Sequence, residues 1–297
     1  MRAFGWFVGL ILLALAAMAV FSYPAWQLLQ PHFGFPFHRV ADRIGMLALA
    51  LGFVLTARRL RVADRVSLGY GVPPGVFARE ALLGFGLGVG SMALIVAIMV
   101  LLDLRSWRLP APGASVLLHT AGSGLLRGIA VALIEETFLR GAMFSGIARE
   151  SGTRLAVILT SLVYAVTHFV GRYHIAAADV SWHSGLDMLA GALQSFAHPL
   201  AIADAFLCLA AVGVVLGLVR TLTGHIGACL GLHAAWVWVI AFVRETSAPN
   251  PAAPLSFLLS RFDGVVGWLV LAWTIIVGAL LYRLYSRRAQ RVRRSAA

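Results

Sequence analysis

Long apolar runs, broken by short arginine-bearing links, make up most of the chain. A membrane helix needs about 17 to 25 mostly apolar residues. On that criterion the sequence predicts about eight spans, near 4–23, 44–57, 81–103, 123–144, 154–170, 203–220, 223–243 and 264–284, the second of them short. The first run, Phe4 to Tyr23, follows Arg2 and reads as a retained signal-anchor, since further spans follow it. The longest connection, about 171–202, contains an apolar stretch from Leu186 to Phe196 that fits a short amphipathic or re-entrant helix. There is no internal repeat and no low-complexity linker. The expected architecture is an all-α, polytopic helical bundle forming a single membrane domain over 1–297, with a basic tail at 285–297.

Composition agrees with a bilayer environment. Hydrophobic residues make up 60% and charged residues only 12%, with a mean hydropathy of +0.88, against about 25% charged in an ordinary soluble domain. All 24 basic residues are arginine, and with 12 acids they give a formal charge of +12. These arginines cluster in alternate links: Arg58, Arg59, Arg61, Arg65 and Arg79, then Arg149 and Arg154, then Arg220, then Arg287, Arg288, Arg291, Arg293 and Arg294. The other links carry Arg39, Arg43, Arg105, Arg108, Arg172, Arg244 and Arg261 more thinly. By the positive-inside rule both termini are expected in the cytoplasm, and the basic charge is topological and not a nucleic-acid footprint. The all-Arg, Ala/Leu-rich composition looks like that of a high-GC bacterium, which places the chain in a bacterial inner membrane. Cys208 and Cys229 stand alone in apolar runs and are expected as packing residues.

Candidate chemistry concentrates in the fourth span, at Ala132-Leu-Ile-Glu-Glu-Thr-Phe-Leu-Arg140. One ionised group at the centre of a membrane helix costs about 2.5–3.5 kcal/mol on insertion scales, so three within this stretch need a shared purpose. Glu136 and Arg140 are i,i+4 neighbours, the spacing at which a carboxylate and a guanidinium meet. Glu135 points about 100° away, which leaves it free to face a cavity and to act as a general acid or base.

The fifth span adds Tyr164 and His168 on one helical face, and the seventh adds His225 and His233. The two seventh-span histidines lie about 80° apart on the helical wheel, so both could face one cavity, and His225, at the cytoplasmic edge, reads first as interfacial and only second as functional. Thr160, Ser161 and the series Gly224, Gly227, Ala228 and Gly231 fit close helix packing. Ser161 lacks the flanking glycines of a nucleophile elbow. The histidines and aspartates of the 171–202 link (His174, Asp179, His183, Asp187, His198) match no metal-ligand spacing and read as a solvated loop.

In three ordered motifs over about 114–243 the sequence resembles the CAAX protease and bacteriocin-processing family of intramembrane endopeptidases. EExxxR is present as Glu135-Glu136-Thr-Phe-Leu-Arg140. FxxxH is present, with an aromatic at its first place, as Tyr164-Ala-Val-Thr-His168. HxxxN is present as His233-Ala-Ala-Trp-Val237, where Val stands for Asn. The resemblance implies a catalytic core formed by helices four to seven and a metal-free, glutamic-type endopeptidase acting on a membrane-associated protein or peptide. Glu135 and His168 would activate water, Glu136 and Arg140 would support Glu135, and His233 would hold the oxyanion. Val237 cannot donate, so Trp236, His225, a backbone group or water is expected to take the place of the family's Asn; Tyr164 is a further accessory candidate. Two Glu and two His also form a plausible zinc set. A non-catalytic binding, immunity or scaffold protein of the same fold is the other alternative. A proton-coupled transporter is disfavoured, because no repeat and no paired broken helices are visible.

Overall fold

The computed structural model describes residues 1–108, 113–169 and 174–295. Its helices are α1 (Arg2–Phe33), α2 (Phe37–Ala57), α3 (Pro74–Leu101), α4 (Ala114–Glu136), a π-helical segment (Thr137–Met143), α5 (Phe144–Ser151), α6 (Thr153–Thr167), α7 (Ser184–Ala197), α8 (Pro199–Thr223), α9 (Gly227–Thr246) and α10 (Trp268–Ser295). A two-stranded antiparallel ribbon, β1 (Arg105–Trp107) with β2 (Ser247–Pro249), is the only sheet among the described residues. Seven helical stretches are long and apolar enough to cross a bilayer, the continuous Ala114–Ser151 among them, and the shorter apolar α6 is the counterpart of the fifth predicted span.

The expected spans and the helices differ mainly at their ends. The helix of the second span begins at Phe37, taking His38, Arg39, Asp42 and Arg43 into its first turns. In α10 the helix continues through the basic segment to Ser295, so the expected tail is an extension of the last helix. Arginine is a good helix former, and no Gly or Pro follows Gly278 to stop the chain. The apolar stretch at 186–196 is the helix α7, which packs on α1 around Met18, Phe37, Ala41 and Met188. Arg172 lies outside the described residues.

Packing follows small residues. In α3 the buried positions are Glu80, Gly84, Gly88, Met92, Ile95 and Met99, and in α4 they are Gly124, Gly128, Ala132 and Glu136. Both stripes repeat at the spacing that keeps one helical face inward, and both press on α9. A Cβ on Gly128 would come within 2.6 Å of the Ala234 carbonyl, while Gly84 and Gly231 sit directly against the backbone carbonyls of Ala228 and Ala81. The large aliphatics point the other way: Leu12, Leu51, Leu55, Leu82, Leu94 and Leu126 are exposed on the outer surface, as befits helices whose surroundings are as apolar as leucine. Of the spanning helices α9 is the most enclosed, with 56% of its apolar window buried. The Gly213 contact with Ser161 and the bonds of Ser161 and Thr160 to Val157 and Ala156 carbonyls bear out the packing role expected of that pair.

Both ends of the chain lie at one end of the bundle. The N-terminal ammonium is 2.7 Å from Glu150 Oε2, Arg149 donates to the Leu60 carbonyl at 3.2 Å, Ile226 N–H donates to the Gly69 carbonyl at 3.0 Å, and Arg288 is 3.4 Å from Glu80. These contacts collect the α2–α3 link, the end of α5, the α8–α9 link and the last turns of α10. The opposite end is closed around Arg105, buried between the ribbon and the Ser247 hydroxyl and carbonyl, each at 2.9 Å, and the Gly264 carbonyl. Burial lowers the pKa of this guanidinium, with the Asp263 carboxylate opposing.

Candidate active site

The π segment interrupts the long fourth span directly after the two glutamates. Such wide turns recur at functional sites, and here five successive residues, Leu139, Arg140, Gly141, Ala142 and Met143, are all buried. The α2–α3 link folds over this turn: the Tyr70 hydroxyl is 2.6 Å from Thr137 Oγ1, Ser145 donates to the Ser67 carbonyl at 2.7 Å, and a Cβ on Gly141 would meet the Leu68 carbonyl at 2.5 Å. The site is therefore capped from the end of the bundle that holds the termini.

Within this frame Glu136 Oε1 accepts two bonds, from Arg140 Nη1 at 3.0 Å and from His233 Nδ1 at 2.8 Å. All three side chains are almost wholly buried. Arg140 also donates from Nη2 to the Gly213 carbonyl at 3.3 Å and stacks on the Tyr164 ring, its guanidinium carbon 4.7 Å from the centroid. The i,i+4 pair expected from the sequence is thus present, and it additionally holds a histidine from α9. With Nδ1–H committed to Glu136, a neutral His233 has only a lone pair at Nε2.

Glu135 is set apart, as its angle on the helix required. Its Oε2 is buried with no hydrogen-bond partner and stands 4.0 Å from His233 Nε2. His168 Nδ1 is 2.7 Å from the Tyr164 carbonyl of its own helix, so Nδ1–H donates there and Nε2 is left as an acceptor. The Tyr164 ring lies between the two histidines, its centroid 4.3 Å from that of His168 and 5.8 Å from that of His233. Its hydroxyl has no hydrogen-bond partner among the described residues.

Two cavities flank this cluster, with no lining residue in common. The larger, about 530 Å³, is lined at its base by Tyr164, His168, His233 and Val237 and reaches Arg244, Glu245 and Asp263 near the ribbon. The smaller, about 400 Å³, lies between α1, α2 and the fourth span; Glu135 lines it together with Leu15, Met46, Phe138 and Val163.

The structure gathers Glu135, Glu136, Arg140, Tyr164, His168 and His233. Two accessory candidates make other contacts. His225 does not share the cavity of His233: it is buried before the first turn of α9, where its Nδ1 accepts the Gly227 N–H at 3.1 Å. Burial lowers its pKa, with Glu80 opposing. Trp236 lines the larger cavity, but its indole N–H donates to Ser91 Oγ at 3.2 Å. Among the described residues no three His, Cys, Asp or Glu side chains are grouped for a metal ion. Both cysteines are free and buried.

Sequence reading passed over Arg127, which lines the larger cavity from α4. The rule that singles out Arg140, a charge inside an apolar span, applies equally to it. The stripes Gly84-xxx-Gly88 and Gly124-xxx-Gly128 were likewise legible as close-packing faces.

Residues 117–239, within the stretch that carries the three motifs, match the family model described as Type II CAAX prenyl endopeptidase Rce1-like. No curated protein and no solved structure matches the chain.

Proposed function

We propose that this chain, whose residues 117–239 match the Rce1-like family model, is a metal-free, glutamic-type intramembrane endopeptidase acting on a membrane-associated protein or peptide. The observation that carries the reading is Glu135 Oε2, a buried carboxylate oxygen with no hydrogen-bond partner among the described residues, 4.0 Å from His233 Nε2. Leaving such a group unsatisfied costs about 1–3 kcal/mol or more, and Glu136 Oε2 and Arg140 Nε, buried beside it without hydrogen-bond partners, share that cost.

In this mechanism Glu135 and the free Nε2 of His168 accept the two protons of one water. As the water oxygen bonds to the scissile carbonyl carbon, Glu135 takes its proton. The oxyanion is held by His233 Nε2–H, which requires both ring nitrogens to carry protons, since Nδ1–H is given to Glu136. Tyr164 supplies the second donor from its hydroxyl, replacing the amide that Val237 lacks. Collapse of the intermediate breaks the C–N bond, and Glu135 returns the proton to the leaving amine. Glu136 and Arg140 act as positioning residues that fix the His233 ring.

The same reading places the protein in a bacterial inner membrane with both termini cytoplasmic, in keeping with the arginine-rich links that gather at the terminal end of the bundle. Prenyl recognition is not part of the proposal.

The test is cleavage by purified protein in lipid nanodiscs, with substrates taken from the membrane proteins left uncut in a deletion strain. Glu135→Ala and His168→Ala should each abolish cleavage while melting within a few degrees of wild type, and a chelator should leave the wild type active. Loss of stability equal to the loss of activity points to a structural network instead. A zinc-reversible loss with chelator points to a metalloprotease. The competing reading, a non-catalytic peptide- or lipid-binding protein, is favoured by Val237 alone; it requires that Glu135→Ala rescue the deletion strain fully.

A further inference from the structure

The two cavities beside the site differ in character and in where they lead. The smaller, which Glu135 lines, has mainly apolar walls from α1 and α2. The larger has one polar wall: His119, Thr120, Ser123 and Arg127 line it from α4, at the i,i+3 and i,i+4 spacings that put residues on one side of a helix. Polar and ionisable side chains gathered on one face of a membrane helix mark a water-filled space. On the facing side α9 follows the cavity from His233 at the base to Arg244 and Glu245, both exposed, at the ribbon end. From His233 to Glu245 the helix rises about 18 Å, the length of about five residues of extended chain.

Toward the terminal end the way from His233 is shorter and shut. Gly227, Ala228, Cys229, Gly231 and Leu232 are all buried. Ile226 N–H donates to the Gly69 carbonyl at 3.0 Å, and Tyr70 and Ser67 hold the α2–α3 link over the π turn. Charge gives the two ends their sides. The shut end carries the arginine-dense α2–α3 link and the basic end of α10, and the open end has fewer arginines, so the positive-inside rule sets the open end on the non-cytoplasmic face.

We propose that the larger cavity receives an extended peptide segment from the non-cytoplasmic face, so that the substrate is a chain end or loop that has already crossed the membrane. The proposal rests on the peptidase reading and on the orientation given with it. Glu135 does not line this cavity; its Oε2 stands 4.0 Å from His233 Nε2, so the His233 ring is the contact between the peptide's chamber and the base. The smaller cavity is the competing entrance, and its apolar walls offer few partners to peptide amides, which are costly to bury unpaired.

The test uses full-length protein with both native cysteines changed to alanine and one new cysteine on the polar wall, Ser123→Cys or, as a second variant, Thr120→Cys. The probe is a membrane-impermeant sulfonated methanethiosulfonate added to sealed vesicles. Both thiols should react in right-side-out vesicles and be spared in inside-out ones, the reverse of Thr153→Cys, which is exposed at the shut end. Reaction confined to inside-out vesicles, or absent from both, overturns the proposal. New chain ends present in wild-type cells and missing from Glu135→Ala cells, mapped by mass spectrometry, should lie on the non-cytoplasmic side of each substrate's spans. Ends on the cytoplasmic side overturn it. So does undiminished cleavage by Ser123→Cys protein after the reagent has filled the cavity, which sends the peptide through the smaller one. Failure of the peptidase reading shows separately: Ser123→Cys still reacts from outside, while wild-type and Glu135→Ala cells have the same chain ends.

Discussion

A tyrosine at position 164, the aromatic first place of the FxxxH motif, changes the chemistry of the cavity floor. Its ring is buried between His168 and His233 and under the Arg140 guanidinium, which packing alone would ask equally of phenylalanine. The hydroxyl is the addition, and it arrives in a chain whose Val237 offers the cavity only methyl groups. Removing one oxyanion donor lowers kcat by roughly 10²–10³-fold. Tyr164→Phe should therefore reduce kcat by about 10²-fold with KM little changed, and Val237→Asn in the same protein should recover most of it. Single-turnover cleavage measured on the two variants checks this. An unchanged kcat in Tyr164→Phe, or a loss that Val237→Asn does not repair, removes Tyr164 from the mechanism.

At the scale of elements, the site depends on how near α3 and α4 come to α9. The glycine and alanine stripes set that distance, and α9 carries His233 while α4 carries the glutamates, so a shift of either helix separates the groups that meet at Glu136. Gly231 lies against the Ala81 carbonyl, whereas a Cβ on Gly86 would meet nothing within 4 Å. Gly231→Ala should destabilise the detergent-solubilised protein by about 1–3 kcal/mol through overpacking, with a matching loss of activity. Gly86→Ala should be neutral or slightly stabilising, because alanine favours a helix over glycine. Thermal melts of both variants give the comparison, and equal melting temperatures would mean the small-residue contacts do not set the α3–α9 distance.

For the whole molecule, the contacts that gather the termini also orient the cavities. The α2–α3 link caps the cluster from the terminal end, and the larger cavity runs toward the ribbon at the other end, so that cavity and the termini face opposite sides. With the native cysteines changed to alanine, a cysteine in place of Thr153 and one in place of Pro251 sit at opposite ends of the bundle, both exposed. A membrane-impermeant maleimide added to intact cells should label the second and spare the first until the membrane is opened. The reverse pattern would put the termini outside.

Much of this molecule was open to sequence reading because bilayer constraints are local. A span declares itself by the length of its apolar run, and an ionisable residue within it by the cost of placing it there; hence the eight predicted runs, the Glu136–Arg140 pair and the separateness of Glu135 could be stated from spacing alone. Helix ends were less legible, since polar first turns such as His38 to Arg43 break the apolar criterion without breaking the helix. What only the tertiary structure decided is which residues from distant spans meet. An 80° separation on the helical wheel allowed His225 and His233 to share a cavity, but the chain turns into α9 just after His225, which places that imidazole against the Gly227 N–H and leaves His233 alone to reach Glu136. The π turn, the partner of the Trp236 indole and the open guanidinium of Arg127 have the same origin. Each depends on how closely neighbouring helices approach, and that distance is fixed jointly by small residues on two chain segments, a property no single stretch of sequence contains.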